Sequence, residues 1–351
     1  MTPPNKPIEE NIVLRNTLKV LNNEGLNTNV DREPPTLGRA QTDVLVRIGY
    51  GKGKETLYAV EIKRGLTPTN IGPVVTQLRA LGPAALLVTD YVTPQIGEKL
   101  KDLDVPFADT AGNAYLRGPN FLIWTIGRRP QTVIKPPRPG RAWQPTGLKV
   151  VFALLCHPEW IELGYRDLAA RAGVANGTVG WVMRDLRELG FLTVVRKTRR
   201  LAATKRLLDE WALGYARMLR PTLLLGRYQA PTFDGWQQWP VEREGGIWGG
   251  EPAGALLTDY LRPGTLTIYA DQVIGKIVLE QKLTDTPNHL VTERIIEFRK
   301  KFWNFEVDTD KPHIAPPVLI YADLLATGDA RCIETAQRVF DGHLARFIAG
   351  Q

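Results

Sequence analysis

Five prolines fall between Arg128 and Thr146, at Pro130, Pro136, Pro137, Pro139 and Pro145. Proline fixes φ and removes a backbone donor, so a stretch this dense can neither wind into a helix nor feed a sheet ladder. The segment reads as an extended linker carrying Lys135, Arg138 and Arg141. It divides the 351-residue chain into parts that must each bury a core of their own. Apolar residues at 43% and charged residues at 23% suit globular parts and exclude global disorder. The longest strongly apolar run, Val150 to Cys156, falls far short of the roughly 18 residues a membrane helix needs. Met1 to Lys6 lacks the apolar core of a signal peptide. Cys156 and Cys332 alone make neither a disulfide framework nor a four-thiolate zinc site. The expectation is a cytoplasmic, multidomain protein with no membrane partner.

Charge is unevenly distributed. Between Arg128 and Arg206 there are 16 Lys/Arg against 5 Asp/Glu, a surplus larger than the net +8 of the whole chain. The remainder is therefore net acidic. A basic excess confined to one segment is the electrostatic footprint of a nucleic-acid surface; a solvated basic face is the alternative, and charge alone does not separate the two.

Before the linker the pattern mixes both periods. Ile8 to Asn23 places Val13, Thr17, Val20 and Leu21 at helical spacing, with Gly25 as a stop. Asp43 to Ile48 and Leu57 to Lys63 read as strands joined through a turn over Gly49 to Lys54. Asn70 to Leu81 and Pro94 to Leu103 read as helices, and Ala84 to Thr89, Val105 to Ala108, Ala114 to Leu116 and Phe121 to Ile126 as strands. The order α-β-β-α-β-α-β-β-β is that of a layered α/β domain over 1–128.

After a linker at 129–146, Leu148 to Cys156 reads as a helix and Trp160 to Leu163 as a short strand. Tyr165 to Ala172 is a second helix ended by Gly173, and a third runs from an Asn176 cap to about Leu189, with Gly190 as its stop. Two short strands over Leu192 to Ala202 surround a basic tip, and Thr204 to Leu219 returns to helix. This is the order of a winged helix-turn-helix over 147–220. Residues 221–351 read as a C-terminal α+β domain, with strands at Leu266 to Tyr269 and Val318 to Ile320 and helices at Pro252 to Tyr260 and Cys332 to Phe347.

The third helix turns Val179, Met183 and Leu186 inward, leaving Thr178, Trp181, Arg184 and Arg187 on the opposite face. A helix of this size fits the DNA major groove, where threonine meets a base edge or thymine methyl and arginine meets guanine or phosphate. Trp181 either joins that face or packs against the wing. The tip residues Arg196, Lys197, Arg199 and Arg200 repel one another unless they are solvated or facing a polyanion such as the phosphate backbone.

A second constellation lies in the first domain. Asp43 begins one strand, and Glu61 and Lys63 end the next on a shared face. Gln77 follows on the next helix. Two carboxylates and a lysine suit metal-dependent phosphodiester hydrolysis, with Asp43 and Glu61 as ligands of Mg²⁺ or Mn²⁺ and Lys63 positioning or deprotonating a water. A salt bridge on a hairpin is the structural alternative. These residues, in this order of elements, resemble the PD-(D/E)XK nuclease superfamily, with its restriction-endonuclease-like fold, over about Met1 to Gly127; Thr42 stands where such nucleases often carry proline. A nuclease-like fold kept only as a binding scaffold is a third option.

Beyond the winged helix, Gly250 to Tyr269 and Pro316 to Arg331, together with Asp109 to Tyr115 upstream, resemble the AbiEi-type regulators, the antitoxin half of type IV toxin–antitoxin systems. That resemblance implies a bacterial, sequence-specific regulator of double-stranded DNA, an antitoxin-like autorepressor often encoded beside a nucleotidyltransferase-like toxin. Simpler members begin directly with the winged helix. Read from the residues alone, Glu251 favours a helix start and Asp323 and Asp329 flank a loop at Gly328, as caps or as a carboxylate cluster. Trp236, Trp239 and Trp248 suit either base stacking or core packing. The expectation is thus an α+β multidomain DNA-binding transcriptional regulator; the alternative is a Mg²⁺-dependent DNA endonuclease targeted by its winged helix.

Overall fold

The computed structural model describes residues 8–31, 42, 44–51, 53–130, 140–196, 198–286, 293–306, 311 and 313–345. No helix among them is long and apolar enough to cross a membrane. The chain divides into two compact units, Met1–Arg138 and Pro139–Gln351.

The first unit runs α1 (Ile8–Asn23), β1 (Leu26–Asp31), β2 (Val44–Tyr50), β3 (Thr56–Ile62), α2 (Ile71–Leu81), β4 (Ala85–Thr89), α3 (Pro94–Asp102), β5 (Phe107–Asp109), β6 (Ala114–Gly118) and β7 (Phe121–Thr125). Its seven strands lie side by side in sequence order. β3, β4 and β5 are parallel, joined by helical crossovers, and the outer pairs are antiparallel. Val13, Leu14, Leu18 and Leu21 of α1 form one core cluster with Val46, Ile48, Val60, Ile62, Leu86 and Val88. Strand alternation turns Ala59, Leu87 and Phe107 to the other face. All five residues of β4 are buried, as a central parallel strand requires. Beyond the expected elements the sheet holds β1: its Leu26-Asn27-Thr28-Asn29-Val30-Asp31 lacks a hydrophobic pattern because this edge strand is held by its ladder to β2.

A buried carboxylate organises the loop after β5. Asp109 accepts hydrogen bonds from Val92 N (2.8 Å), Ala111 N (2.9 Å), Asn113 N (2.9 Å) and Asn113 Nδ2 (2.7 Å). Burial pushes its pKa up, against the pull of those donors. Asn113 in turn grips Arg128 through both backbone groups, at 2.9 Å each. The stretch Asp109 to Tyr115 thus does structural work here, fixing a turn and the end of the unit's last strand segment.

The second unit begins with a 3-10 turn at Arg141–Trp143, followed by α4 (Pro145–Cys156), a 3-10 turn at Pro158–Glu162, α5 (Tyr165–Ala172), α6 (Asn176–Glu188), and the hairpin β8 (Leu192–Val195) and β9 (Thr198–Leu201). Next come α7 (Thr204–Gly214), a π turn at Tyr215–Leu219, a 3-10 turn at Arg220–Leu223, β10 (Leu224–Gln229), β11 (Ile247–Gly249), α8 (Gly250–Thr258), β12 (Thr265–Ala270), α9 (Gly275–Glu280), β13 (Thr284–Asp285), β14 (Ile295–Lys300), α10 (Pro317–Thr327) and α11 (Ala330–Val339). Five strands form a sheet in the order β11-β12-β14-β10-β13, with only β12 and β14 parallel.

Several expectations are corrected. Trp160 to Leu163 is not a strand: Pro158–Glu162 winds a 3-10 turn, and Trp160 stacks on His157 at 4.0 Å. Val318 to Ile320 is the start of α10, whose residues from Val318 to Ala326 are all buried; a short apolar run does not distinguish a buried strand from a buried helix. Asn176 is the first residue of α6 rather than its cap, a position held by Ala175 without a side-chain bond. Residues 140–146 belong to the second unit, with Pro145 at the start of α4, where a missing N–H costs nothing. Gly173 does end α5, at φ +63°.

The expected boundary at 220 crosses a shared interior. Phe152 of α4 stacks on Trp211 of α7 at 5.2 Å and meets Phe302, Trp303 and Phe305, beyond β14, at 5.0, 6.1 and 5.7 Å. Trp211 also donates its indole N–H to Leu148 O at 2.9 Å. Beneath these rings lies a buried polar network. Asp323 of α10 accepts from the hydroxyls of Tyr215 (2.7 Å) and Tyr269 (2.8 Å) and from Arg220 Nε (3.2 Å). Arg220 and Arg299 both reach Glu297, at 3.3 and 2.6 Å. Burial alone raises the Glu297 pKa, but Arg299 and Arg220 outweigh it and leave the carboxyl below its ordinary value. Burial, with the Asp323 charge, pushes the Tyr215 and Tyr269 hydroxyls well up, so they stay donors.

Asp323→Ala removes the acceptor shared by two buried hydroxyls and a guanidinium, leaving Arg220 to Glu297 and the hydroxyls to each other, and is expected to cost about 3 kcal/mol of unfolding free energy. Urea titration of the full chain checks this; a loss under about 1 kcal/mol, the worth of one ordinary hydrogen bond, contradicts the assigned role.

Candidate nucleic-acid interface

α6 buries Val179, Val182, Met183 and Leu186. That inner face is fixed by helical periodicity, and it sets what the outer face presents. Trp181, Arg184 and Arg187 are exposed and Thr178 is half-buried at the N-terminal end. Trp181 faces solvent, 44% exposed, rather than packing on the hairpin. The guanidinium groups of Arg184 and Arg141 lie 4.7 and 5.1 Å from its ring centre, within the range of favourable cation–π contact.

Arg141 stands out only in the structure. The sequence assigns it to a linker; the fold holds its turn against α6. Asp185 of α6 accepts a hydrogen bond from Ala142 N at 2.9 Å, and Trp143 meets Phe191 edge-on at 6.2 Å. Gly147 makes the approach possible: a Cβ there would stand 2.0 Å from the Arg141 carbonyl oxygen.

The hairpin β8–β9 follows α6 through Gly190 and Phe191. Arg196 and Arg200 are exposed; Lys197 lies outside the described residues. Arg199 is turned inward instead. Its backbone N–H donates to Glu162 Oε1, its guanidinium donates to Leu163 O at 2.8 Å, and it lies 5.5 Å from the Tyr165 ring. Of the tip cations, Arg199 therefore anchors the hairpin to the turn before α5. Val194 and Val195, 50% and 57% exposed, flank the cations on β8.

In the first unit, Glu61 and Lys63 come together at the C-terminal end of β3. Lys63 Nζ is 3.1 Å from Glu61 Oε1, with the side chains only 14% and 15% exposed. The pair is thus not a salt bridge on an open hairpin: β3 is flanked by β2 and β4, and Lys63 N bonds to Val88 O at 3.0 Å. Val60 and Ile62 join the core under α1, so alternation puts Glu61 and Lys63 on the α2 side. Gln77 of α2 has a buried Oε1 with no hydrogen-bond partner among the described residues. Thr42 donates to Val60 O at 2.9 Å. Asp43 lies outside the described residues. Among the described residues no group of three or more His, Cys, Asp or Glu is placed to hold a metal, and Glu61 is already engaged by Lys63. The described residues alone do not make up a divalent-ion site.

The remaining candidates have structural partners. Trp236 and Trp248 are buried and perpendicular at 5.1 Å, with Trp239 6.4 Å from Trp248. Asp329 caps α11, accepting from Arg331 N and Cys332 N. Glu251 accepts from Gly264 N at 2.7 Å, tying α8 to the chain entering β12.

Residues 200–345 match the family of transcriptional regulators described as AbiEi antitoxin, type IV TA system. The match begins in β9 and takes in α7, the five-stranded sheet and the helices that cover it. It supports a regulator role and, through the antitoxin description, a toxin partner. No curated protein and no solved structure matches the chain.

Arg199→Ala is expected to loosen β8–β9 at a cost of about 1 kcal/mol and to speed amide exchange across 192–201, whereas Arg200→Ala leaves both unchanged. Hydrogen exchange followed by mass spectrometry reads this; equal behaviour of the two variants contradicts the anchoring role.

Proposed function

We propose that the protein is a DNA-binding transcriptional regulator whose second unit reads duplex DNA through α6 and the β8–β9 hairpin. The observation that carries this reading is the outer face of α6. Trp181, Arg184 and Arg187 stand clear of the core on one helix, beside a hairpin whose Arg196 and Arg200 also face solvent. A helix with this face suits the major groove, and a basic hairpin suits phosphates or the minor groove. The order of helices, turn and hairpin is that of a winged helix-turn-helix. The match over 200–345 supports regulation as the purpose of such binding. Autorepression, and capture of a nucleotidyltransferase-like toxin, are what the AbiEi resemblance implies as the fuller form of the proposal.

The test is binding of the full chain to duplexes selected from a random pool. Affinity is expected to fall by about 0.9 log units per log unit of salt for each phosphate contact. Charge reversal at Arg196 and Arg200 together weakens binding to every sequence. Arg184→Ala or Thr178→Ala instead relaxes sequence preference, by about 1–3 kcal/mol per base contact. Unchanged affinity and preference in all of these variants contradicts the reading.

A second reading concerns the first unit. Glu61 and Lys63, paired at the C-terminal end of β3, and the buried Oε1 of Gln77 on the following helix favour a nuclease-like scaffold of the restriction-endonuclease type. In that reading Asp43 and Glu61 hold Mg²⁺ or Mn²⁺ and Lys63 orients a water. Incubating the full chain with plasmid DNA and either metal tests it. Cleavage that Lys63→Ala abolishes supports an active site, and intact DNA leaves a scaffold without catalysis.

A further inference from the structure

We infer that the Arg141–Trp143 turn is a built part of the DNA-contacting surface, with Arg141 supplying a backbone-phosphate contact on the flank of α6. The inference rests on the DNA-binding reading above and extends it to a segment outside the helix-turn-helix and its hairpin.

Three features fix the turn. Asp185 accepts from Ala142 N at 2.9 Å. Ala142 is fully buried, and Trp143 meets Phe191 at 6.2 Å. Gly147 leaves the space that the Arg141 carbonyl occupies. Arg141 is therefore an exposed side chain on a located backbone, not the end of a tail.

Its guanidinium shares the Trp181 indole with that of Arg184, at 5.1 and 4.7 Å from the ring centre. Two like charges at one exposed ring add to a local positive potential that favours an anion. A guanidinium held against a ring engages through its face, which leaves its in-plane N–H donors for phosphate oxygens. The cation comes from an element beside α6 rather than from its N-terminal end, where base edges are met. Contacts from such flanking elements fix register on the backbone and carry no sequence information. The ligand is thus the phosphodiester backbone of duplex DNA.

The test is fluorescence anisotropy of the full chain on a mixed-sequence duplex of about 30 base pairs, with salt varied between about 50 and 200 mM. Arg141→Ala is expected to weaken binding roughly tenfold at low salt and to lower the salt slope by about 0.9. Gly147→Ala keeps every charge but displaces the turn, and should lower the slope in the same way, with folding checked by circular dichroism. Arg243→Ala, at an exposed site in the chain between β10 and β11, should leave the slope unchanged. If the unaltered protein binds no duplex, the DNA-binding reading falls and this inference with it. If it binds, and Arg141→Ala matches it in slope, the inference alone is overturned. An equal drop for Arg243→Ala also overturns it, since the effect would then be one of net charge.

Discussion

The contact of Phe152 with Trp211 is the interaction on which the second unit depends. Phe152 comes from the first helix of the basic segment, and Trp211 from the helix that leads into the sheet. Around them Phe302, Trp303 and Phe305 close the interior from beyond β14. Large aromatic side chains bury more area than most others, and this cluster draws its rings from both sides of residue 220. The outer face of α6 is thus carried on a helix that rests on α4, which packs on the same aromatic interior. The buried Asp323 network continues the same construction, joining the π turn after α7 to α10 and, through Arg220, to β14.

This interior explains why so many charged residues in the matched region are not candidates for chemistry. Arg220, Arg299, Glu297 and Asp323 satisfy one another, and the Tyr215 and Tyr269 hydroxyls complete the set. Burying ions is costly unless each has a partner, and here each described member has one. The surface of the helical segment is organised differently. Arg184, Arg187, Arg196 and Arg200 stay exposed, while Arg199 and Asp185 are used to hold the hairpin and the Arg141 turn in place. The basic surplus counted in the sequence is therefore of two kinds, anchoring and displayed.

Much of the fold is legible in the sequence where pattern and punctuation agree. α5 and α6 show helical spacing with Gly173 and Gly190 beyond their ends, and β3 and β4 are apolar runs bounded by turns. Legibility fails where tertiary context supplies the stabilisation. β1 has only Leu26 and Val30 as apolar residues, because an edge strand is held by its ladder. Apart from Asp323, α10 is apolar on every face from Val318 to Ala326, because it is enclosed on every side, and so reads as a strand in its first turn. On the candidate surface, Trp181, Arg184, Arg187, Arg196 and Arg200 are legible by elimination from the core face. The anchoring of Arg199 is not, because its partners Glu162 and Leu163 lie on a turn that reads as a strand. Arg141 was hidden by proline density, and the need for a residue without a side chain at Gly147 appears only once the turn is packed on α4.

Photo-cross-linking tests the central claim most directly, because it asks which residues of the full chain touch DNA. A selected duplex substituted with 5-bromodeoxyuridine is irradiated in complex with the protein, and the linked peptides are mapped by mass spectrometry. The account predicts adducts within 141–143, 176–188 and 192–201, with Trp181 prominent among them. Adducts confined to 44–81 of the first unit, with none on α6 or the hairpin, would contradict it.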